Sequence, residues 1–335
     1  MNRFAYLRAD DVGAAVRAVA ADPSARFIAG GTNLVDLIKE NVERPTRIVD
    51  ITRLPLGEIG PGERGGLRIG ALVKNSDLAY HPEVERRYPL LSRAILSGAS
   101  AQLRNMASTG GNLMQRTRCS YFYDTTTPCN KREPGTGCAA LGGFNRMHAI
   151  LGASEQCIAV NPSDMSVALA ALEAVVHVTG PEGDRAIAFA EFHRLPGDAP
   201  QLDTNLRQGE LITAVELPAL GFAEHHAYLK IRDRASYAFA LVSVAAALEL
   251  QGGTVTEARV ALGGVAHKPW RDREAEALLV GRRVALEHFQ RVADALLQGA
   301  VGRGANDFKI ELARRAIVRA LSHAARRTSR DDARR

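Results

Sequence analysis

Aromatic residues are scarce in this chain of 335 residues, at 5% with a single tryptophan, Trp270. No basic stretch is interleaved with aromatics, so nucleic-acid recognition is disfavoured in spite of a formal charge of +6. The excess charge is uneven: between Lys309 and Arg335 eight arginines stand against three acidic residues. That pattern reads as a solvated tail, or a docking surface for an acidic partner, and not as a groove. No apolar run reaches the roughly 18 residues needed to cross a bilayer. The opening Met1-Asn2-Arg3-Phe4-Ala5-Tyr6 lacks the apolar core and cleavage site of a signal peptide. The expectation is therefore no membrane span and no signal of its own: a periplasmic location through co-export with a signal-bearing partner, otherwise a cytoplasmic one. His-Glu-x-x-His, Gly-x-Ser-x-Gly and Gly-Lys-Ser/Thr motifs are all missing, which disfavours a zinc protease, an α/β-type hydrolase and a P-loop enzyme.

Cysteine supplies the most telling absence. Outside a 39-residue window there is none, and inside it stand Cys119, Cys129, Cys138 and Cys157. The window is bounded by two polar loops, Ser108-Thr109-Gly110-Gly111-Asn112-Leu113 and Asn161-Pro162-Ser163-Asp164. The chain exceeds the size of one ordinary core, so a large and a small domain are expected, with a composition shift near residues 221–226 marking the boundary at about 222.

Periodicity gives a βαβ-like opening. Residues 3–7 read as a strand, Asp10 or Asp11 caps a helix, residues 26–29 form a buried strand and residues 47–51 return as another. Residues 83–100 suit a helix interrupted by Pro89. Residues 165–175 suit a buried helix, and residues 175–179 and 186–189 a hairpin around Gly180–Gly183. Residues 240–250 are ambiguous between strand and helix. Amphipathic helices are expected over 284–297 and 308–324.

Ala29-Gly30-Gly31-Thr32-Asn33-Leu34 follows a strand and opens a helix, exposing backbone N–H groups as a pyrophosphate cradle does; a plain tight turn fits the same residues. Thr109-Gly110-Gly111-Asn112-Leu113 repeats the pattern about eighty residues on, and a pair could line one long cofactor from two sides. A literal G-x-G-x-x-G at Gly60–Gly65 precedes a strand instead of opening a helix, and reads as a hairpin loop. Asp164 is a helix cap by default, or a carboxylate facing a ribose or flavin edge. The cysteine spacing, C-x9-C-x8-C-x18-C, lacks the knuckles of structural zinc sites. Buried free thiols and a disulfide remain open alternatives, while four thiolates could hold one cubane, each iron taking one ligand. Spacing favours iron–sulfur over zinc.

Taken together, Ala29–Leu34, Thr109–Leu113 and Pro162–Asp164 resemble the FAD-contacting loops of flavoprotein subunits in the xanthine dehydrogenase/carbon monoxide dehydrogenase group. Residues 263–271, Gly-Gly-Val-Ala-His-Lys-Pro-Trp-Arg, resemble the signature of that group's C-terminal domain. The resemblance implies an α+β fold: a vanillyl-alcohol-oxidase-type (PCMH) FAD-binding domain over 1–222, a carbon monoxide dehydrogenase flavoprotein-type domain over 223–325, and a basic tail over 326–335. Most relatives carry a short link where this chain has an insertion at about 115–160, which resembles the flavin subunit of bacterial heterotrimeric molybdenum aldehyde oxidoreductases with an extra [4Fe–4S] cluster. Lys131 and residues 232–237 fit that branch better than the benzoyl-CoA-type reductases, the nearest alternative; a stand-alone NAD(P)H-dependent flavoenzyme and a zinc-stabilised basic binding module are the others.

By that resemblance FAD would be held by Phe27, Ile28, Ala29, Gly30, Gly31, Thr32, Asn33 and Leu34, with Ser108, Thr109, Gly111, Asn112, Asp164, Ile212 and Lys230 around it. Cys119, Cys129, Cys138 and Cys157 would hold the cluster. The chain would have no catalytic residue of its own. It would pass electrons from a [2Fe–2S] small subunit to a soluble acceptor, while a molybdenum-cofactor-binding large subunit oxidises the aldehyde. The positive charge of Lys230 is expected to favour reduced, anionic flavin.

Overall fold

The computed structural model describes residues 1–326; the basic tail expected over 326–335 lies outside them apart from Arg326. Three sheets organise the described chain. β1 (Ala5–Arg8), β2 (Arg26–Ile28) and β3 (Arg47–Asp50) form a parallel sheet in the order β1-β3-β2. The Val12–Ala20 helix crosses between the first two strands, capped by Asp11, whose carboxylate accepts the Ala14 N–H at 2.7 Å.

β4 (Ile59–Pro61), β5 (Leu67–Gly70), β6 (Val175–Gly180), β7 (Gly183–Ala188) and β8 (Leu211–Leu217) make an antiparallel sheet in the order β4-β5-β8-β6-β7. The Gly60–Gly65 segment ends β4 and enters the turn of the β4–β5 hairpin, in line with its sequence context. Between β5 and β6 run several helices and the whole cysteine segment. Pro89 divides the expected long helix into Pro82–Arg87 and Pro89–Ser97, since a proline ring cannot continue the preceding turn.

β9 (His226–Ile231), β10 (Val242–Gln251), β11 (Thr254–Gly263) and β12 (Trp270–Arg271) form the last antiparallel sheet, ordered β12-β11-β10-β9. The ambiguous segment is thus a strand. Val242, Val244, Ala246 and Leu248 enter one core with the Leu286–Leu296 and Phe308–Ala325 helices, while Ala245 and Ala247 enter the other. Alternation with both faces buried is what a period of two produces in a sheet covered on both sides. The small alanine side chains let the Asp164–Ala171 helix approach closely, and every residue of that helix is buried. The helix ends at Ala171, earlier than expected, and Glu173 turns the chain at φ 54°. Phe222, at φ 54° and buried in the core shared with the five-stranded sheet, lies four residues before the start of β9.

Lys309 is completely buried in the last helix. Its ammonium donates to the carbonyls of His148 at 2.8 Å and Gly264 at 2.5 Å, tying that helix to the end of the insertion. Burial pushes its pKa down to about 7. The unfolded chain therefore binds the extra proton between about pH 7 and the ordinary lysine value, so this residue makes stability rise with pH across that window; below it the cost of charging Lys309 in the folded protein is fully present. Urea midpoints measured from pH 6.5 to 10 should show a flatter rise in Lys309→Met than in wild type. Equal slopes would remove this account of Lys309.

Candidate functional site

Segments far apart in sequence meet at one cleft of about 990 Å3, at the upper end of small-molecule sites. Of the expected residues, Phe27 to Leu34, Ser108, Gly111, Asn112, Asp164, Ile212 and Lys230 line it. Thr109 does not: it is buried, and its N–H and hydroxyl both donate to the Val73 carbonyl, at 2.9 and 3.0 Å. Its role is to anchor the second loop, not to face the cleft. That loop is itself a short helix, Thr109–Leu113, capped by Ser108, whose hydroxyl accepts the Gly111 N–H at 3.2 Å.

The loops are fastened to each other. A Cβ on Gly30 would stand 2.0 Å from the Met106 carbonyl oxygen, so this glycine lets the first loop lie directly on the backbone leading into the second. Gly31 sits at φ 70°, the left-handed region that opens the Leu34–Lys39 helix. Asn33 does not cap that helix with its side chain; its Oδ1 accepts the Arg116 N–H at 2.8 Å, clamping the first loop to the start of the insertion. Asn112 Oδ1 accepts the Ser163 hydroxyl at 2.6 Å, joining the second loop to the third motif. Ile212, on β8, packs beside Gly110.

Asp164 is held from two sides. Lys230 Nζ lies 2.7 Å from Oδ2, and the Tyr228 hydroxyl donates to Oδ1 at 2.7 Å. Lys230 also donates to the Ser97 carbonyl at 3.1 Å. The charge of Lys230 is matched by a carboxylate in contact with it, so the pair presents the cleft with little net charge. Both side chains are at least nine-tenths buried, and truncating one partner leaves the other without compensation. Lys230→Met should lower unfolding free energy by about 3 kcal/mol, with part of the loss recovered in the Lys230→Met/Asp164→Leu double variant. Denaturant titration checks both, and a single variant as stable as wild type would refute the assignment of the pair as a buried ion pair.

The four cysteines line one small cavity. The insertion that carries them is almost free of regular structure and wraps Phe122, which is fully buried. Asn130 Oδ1 accepts the N–H groups of Gly135 and Gly137 at 3.0 and 2.8 Å, shaping the loop between Cys129 and Cys138. Arg132 donates to the carbonyls of Tyr121, Phe122 and Thr127. Burial pushes the Cys119 thiol up to about 12 and the Cys157 thiol up to about 11, so in the protein alone both sulfurs are neutral thiols at about pH 7. His148 Nε2 lies 3.1 Å from Cys119 Sγ. Among the described residues, no three His, Cys, Asp or Glu side chains converge as ligands of a single metal ion.

Cleft and cavity share a charged wall that local sequence did not reveal. Arg116 pairs with Glu43 at 2.6 Å and Asp203 at 2.8 Å, and lies over the Phe122 ring at 4.7 Å. Asp203 also accepts from Lys131, which is buried against the cysteines. Burial alone would raise the Asp203 carboxyl, but Lys131 and Arg116 beside it hold it well below the usual carboxylate range.

Comparison with known proteins places this geometry. The family model for the FAD binding domain in molybdopterin dehydrogenase matches residues 2–220, and that for the CO dehydrogenase flavoprotein C-terminal domain matches 227–324. The aldehyde oxidoreductase FAD-binding subunit PaoB of Escherichia coli K12 is 52% identical over 97% of this chain and 99% of its own. This chain belongs to the FAD-binding subunits of the molybdenum aldehyde oxidoreductase and carbon monoxide dehydrogenase family. The glyceraldehyde dehydrogenase medium chain of Sulfolobus acidocaldarius is 28% identical over 84% of this FAD-binding subunit and 82% of its own length. Among solved structures, carbon monoxide dehydrogenase from Hydrogenophaga pseudoflava superposes with a TM-score of 0.75 at 28% identity, covering 96% of this chain and 97% of that one. Quinoline 2-oxidoreductase from Pseudomonas putida 86 gives 0.74 at 26% identity, covering 97% of each. The cleft of this FAD-binding subunit fits its cofactor in one further respect. Asn75 is buried in the cleft wall with an Oδ1 that no protein group satisfies, a cost that a ligand hydrogen bond removes.

Proposed function

We propose that the chain is the electron-transfer subunit of a molybdenum aldehyde oxidoreductase. It takes electrons from the [2Fe–2S] clusters of a small subunit and delivers them to a soluble acceptor. A large subunit holding the molybdenum cofactor oxidises aldehydes to carboxylic acids. The observation that carries this is the convergence of three motif segments on one cleft, in a chain 52% identical to an aldehyde oxidoreductase FAD-binding subunit. That identity favours the aldehyde branch over the benzoyl-CoA-type and stand-alone alternatives. FAD, when bound, supplies the exchange of one or two electrons. The chain's own residues hold it: the Phe27–Leu34 segment and Ser108, Gly111 and Asn112 from two sides, Ile212 as an apolar wall, and Asp164 with Lys230 as a nearly neutral polar one. We place the division between the FAD-binding domain and the smaller C-terminal domain near residue 222.

We further propose that Cys119, Cys129, Cys138 and Cys157 hold one [4Fe–4S] cluster. Their shared cavity supports it. A cubane gives each thiolate its own iron and so spaces its ligands more widely than zinc, whose four sulfurs sit about 2.3 Å from a single ion. No helix among the described residues is long and apolar enough to cross a membrane, and we propose that the compartment of the complex is that of its signal-bearing or signal-free partners.

Co-purification from the native host, followed by flavin, iron and molybdenum analysis, tests these assignments. The expected result is one FAD per chain, about four irons beyond those of the [2Fe–2S] subunit, and aldehyde-dependent reduction of an added acceptor. A colourless chain containing zinc would overturn the cluster assignment, and turnover by the isolated chain would overturn the subunit assignment.

A further inference from the structure

Behind the cleft, among the described residues, two smaller cavities lie next to one another in series with it. The cysteine cavity and the middle one share Thr117 and Cys119 in their walls. The middle cavity shares Met147, Asp164 and Phe239 with the cleft. Of the four cysteines, only Cys119 lines the middle cavity, so its sulfur marks the side of the metal site turned toward the flavin site. His148 lines the same cavity, with Nε2 3.1 Å from that sulfur. The backbone of His148 is fixed from behind by the C-terminal domain. Asn306 Nδ2 donates to the carbonyls of His148 and Ala149 at 3.3 and 3.1 Å, and Lys309 Nζ donates to His148 at 2.8 Å. The imidazole is therefore aimed at Cys119 by the scaffold, not only by the loop that wraps the metal.

We propose that His148 is a positioning residue that donates a hydrogen bond from Nε2 to the Cys119 sulfur and raises the reduction potential of the cluster at its flavin-facing ligand. The proposal rests on the four-cysteine assignment made above. Reduction adds one electron, and part of that charge spreads onto the ligating sulfurs. A donor at a sulfur thus stabilises the reduced state more than the oxidised one, and does so more strongly in a buried site than in water.

The test is an EPR-monitored redox titration of the intact complex. The signal of this cluster is the one that disappears in the complex carrying Cys138→Ser. His148→Phe, which keeps a planar ring and removes the donor, should lower the midpoint potential with iron and FAD contents unchanged, and His148→Gln should return it toward wild type. A wild-type midpoint in fully iron-loaded His148→Phe overturns the proposal. Should His148→Phe lose iron, His148→Gln and His148→Met carry the comparison, one with a donor and one without, and equal midpoints overturn it. A Cys138→Ser complex that keeps every signal overturns the four-cysteine assignment instead.

Discussion

Replacing Cys138 with serine is expected to turn a brown protein yellow. Cys138 faces Cys129 across an isolated antiparallel bridge, in a loop whose shape depends on Asn130 bonding the N–H groups of Gly135 and Gly137. A hydroxyl at this position is a poor ligand for iron. Three sulfurs in a site built for four leave one iron exposed, so iron should fall from about four per chain to near zero. FAD content should stay close to wild type, because none of the residues that fasten the cleft loops is a cysteine. The insertion should become more sensitive to protease, since the proposed cluster would join four points of a segment almost free of regular structure. Full iron content in the Cys138→Ser protein would end the four-cysteine assignment.

Gly30→Ala is expected to be nearly as severe at the other site. The new methyl would stand 2.0 Å from the Met106 carbonyl oxygen and 2.8 Å from its carbon, both backbone atoms that cannot rotate away. The two loops must separate. The expected cost is about 3 kcal/mol of stability and about a tenfold or greater loss of FAD affinity, read by thermal unfolding and by flavin retained after gel filtration. Gly31→Val should also lose flavin, and here the reason is conformational: a β-branched residue is forced to φ 70° beside Val35. Wild-type flavin content in Gly30→Ala would show that closure of these loops is not needed for binding.

Much of the site was legible because it is written in short local patterns. A strand that runs into Gly-Gly and a helix start needs only about six residues to be recognised, and both loops and the Asp164 helix start lie on the cleft. The β10 strand was ambiguous because alanine fills both faces of a sheet covered on each side, which erases the alternation that identifies a half-exposed strand. Sequence does not tell which residues of the one-turn Thr109–Leu113 helix face inward, so the burial of Thr109 is visible only in the structure. The contact between Lys230 and Asp164 leaves no local pattern, because the two are 66 residues apart. The Arg116, Lys131 and Asp203 cluster was missed for the same reason. Ion pairs between distant segments leave no periodic trace, although a buried lysine and arginine flanking a cysteine motif hint that a carboxylate must come from somewhere.

The bond between Asn112 and Ser163 shuts the base of the cysteine-carrying excursion like a clasp. Once that base is shut, lengthening the excursion costs only the slowly growing entropy of a longer tether. Descent with modification could therefore add or delete a whole inorganic cofactor at this point without disturbing the flavin nest beneath, which makes the position a natural graft site for engineering new electron carriers into related subunits.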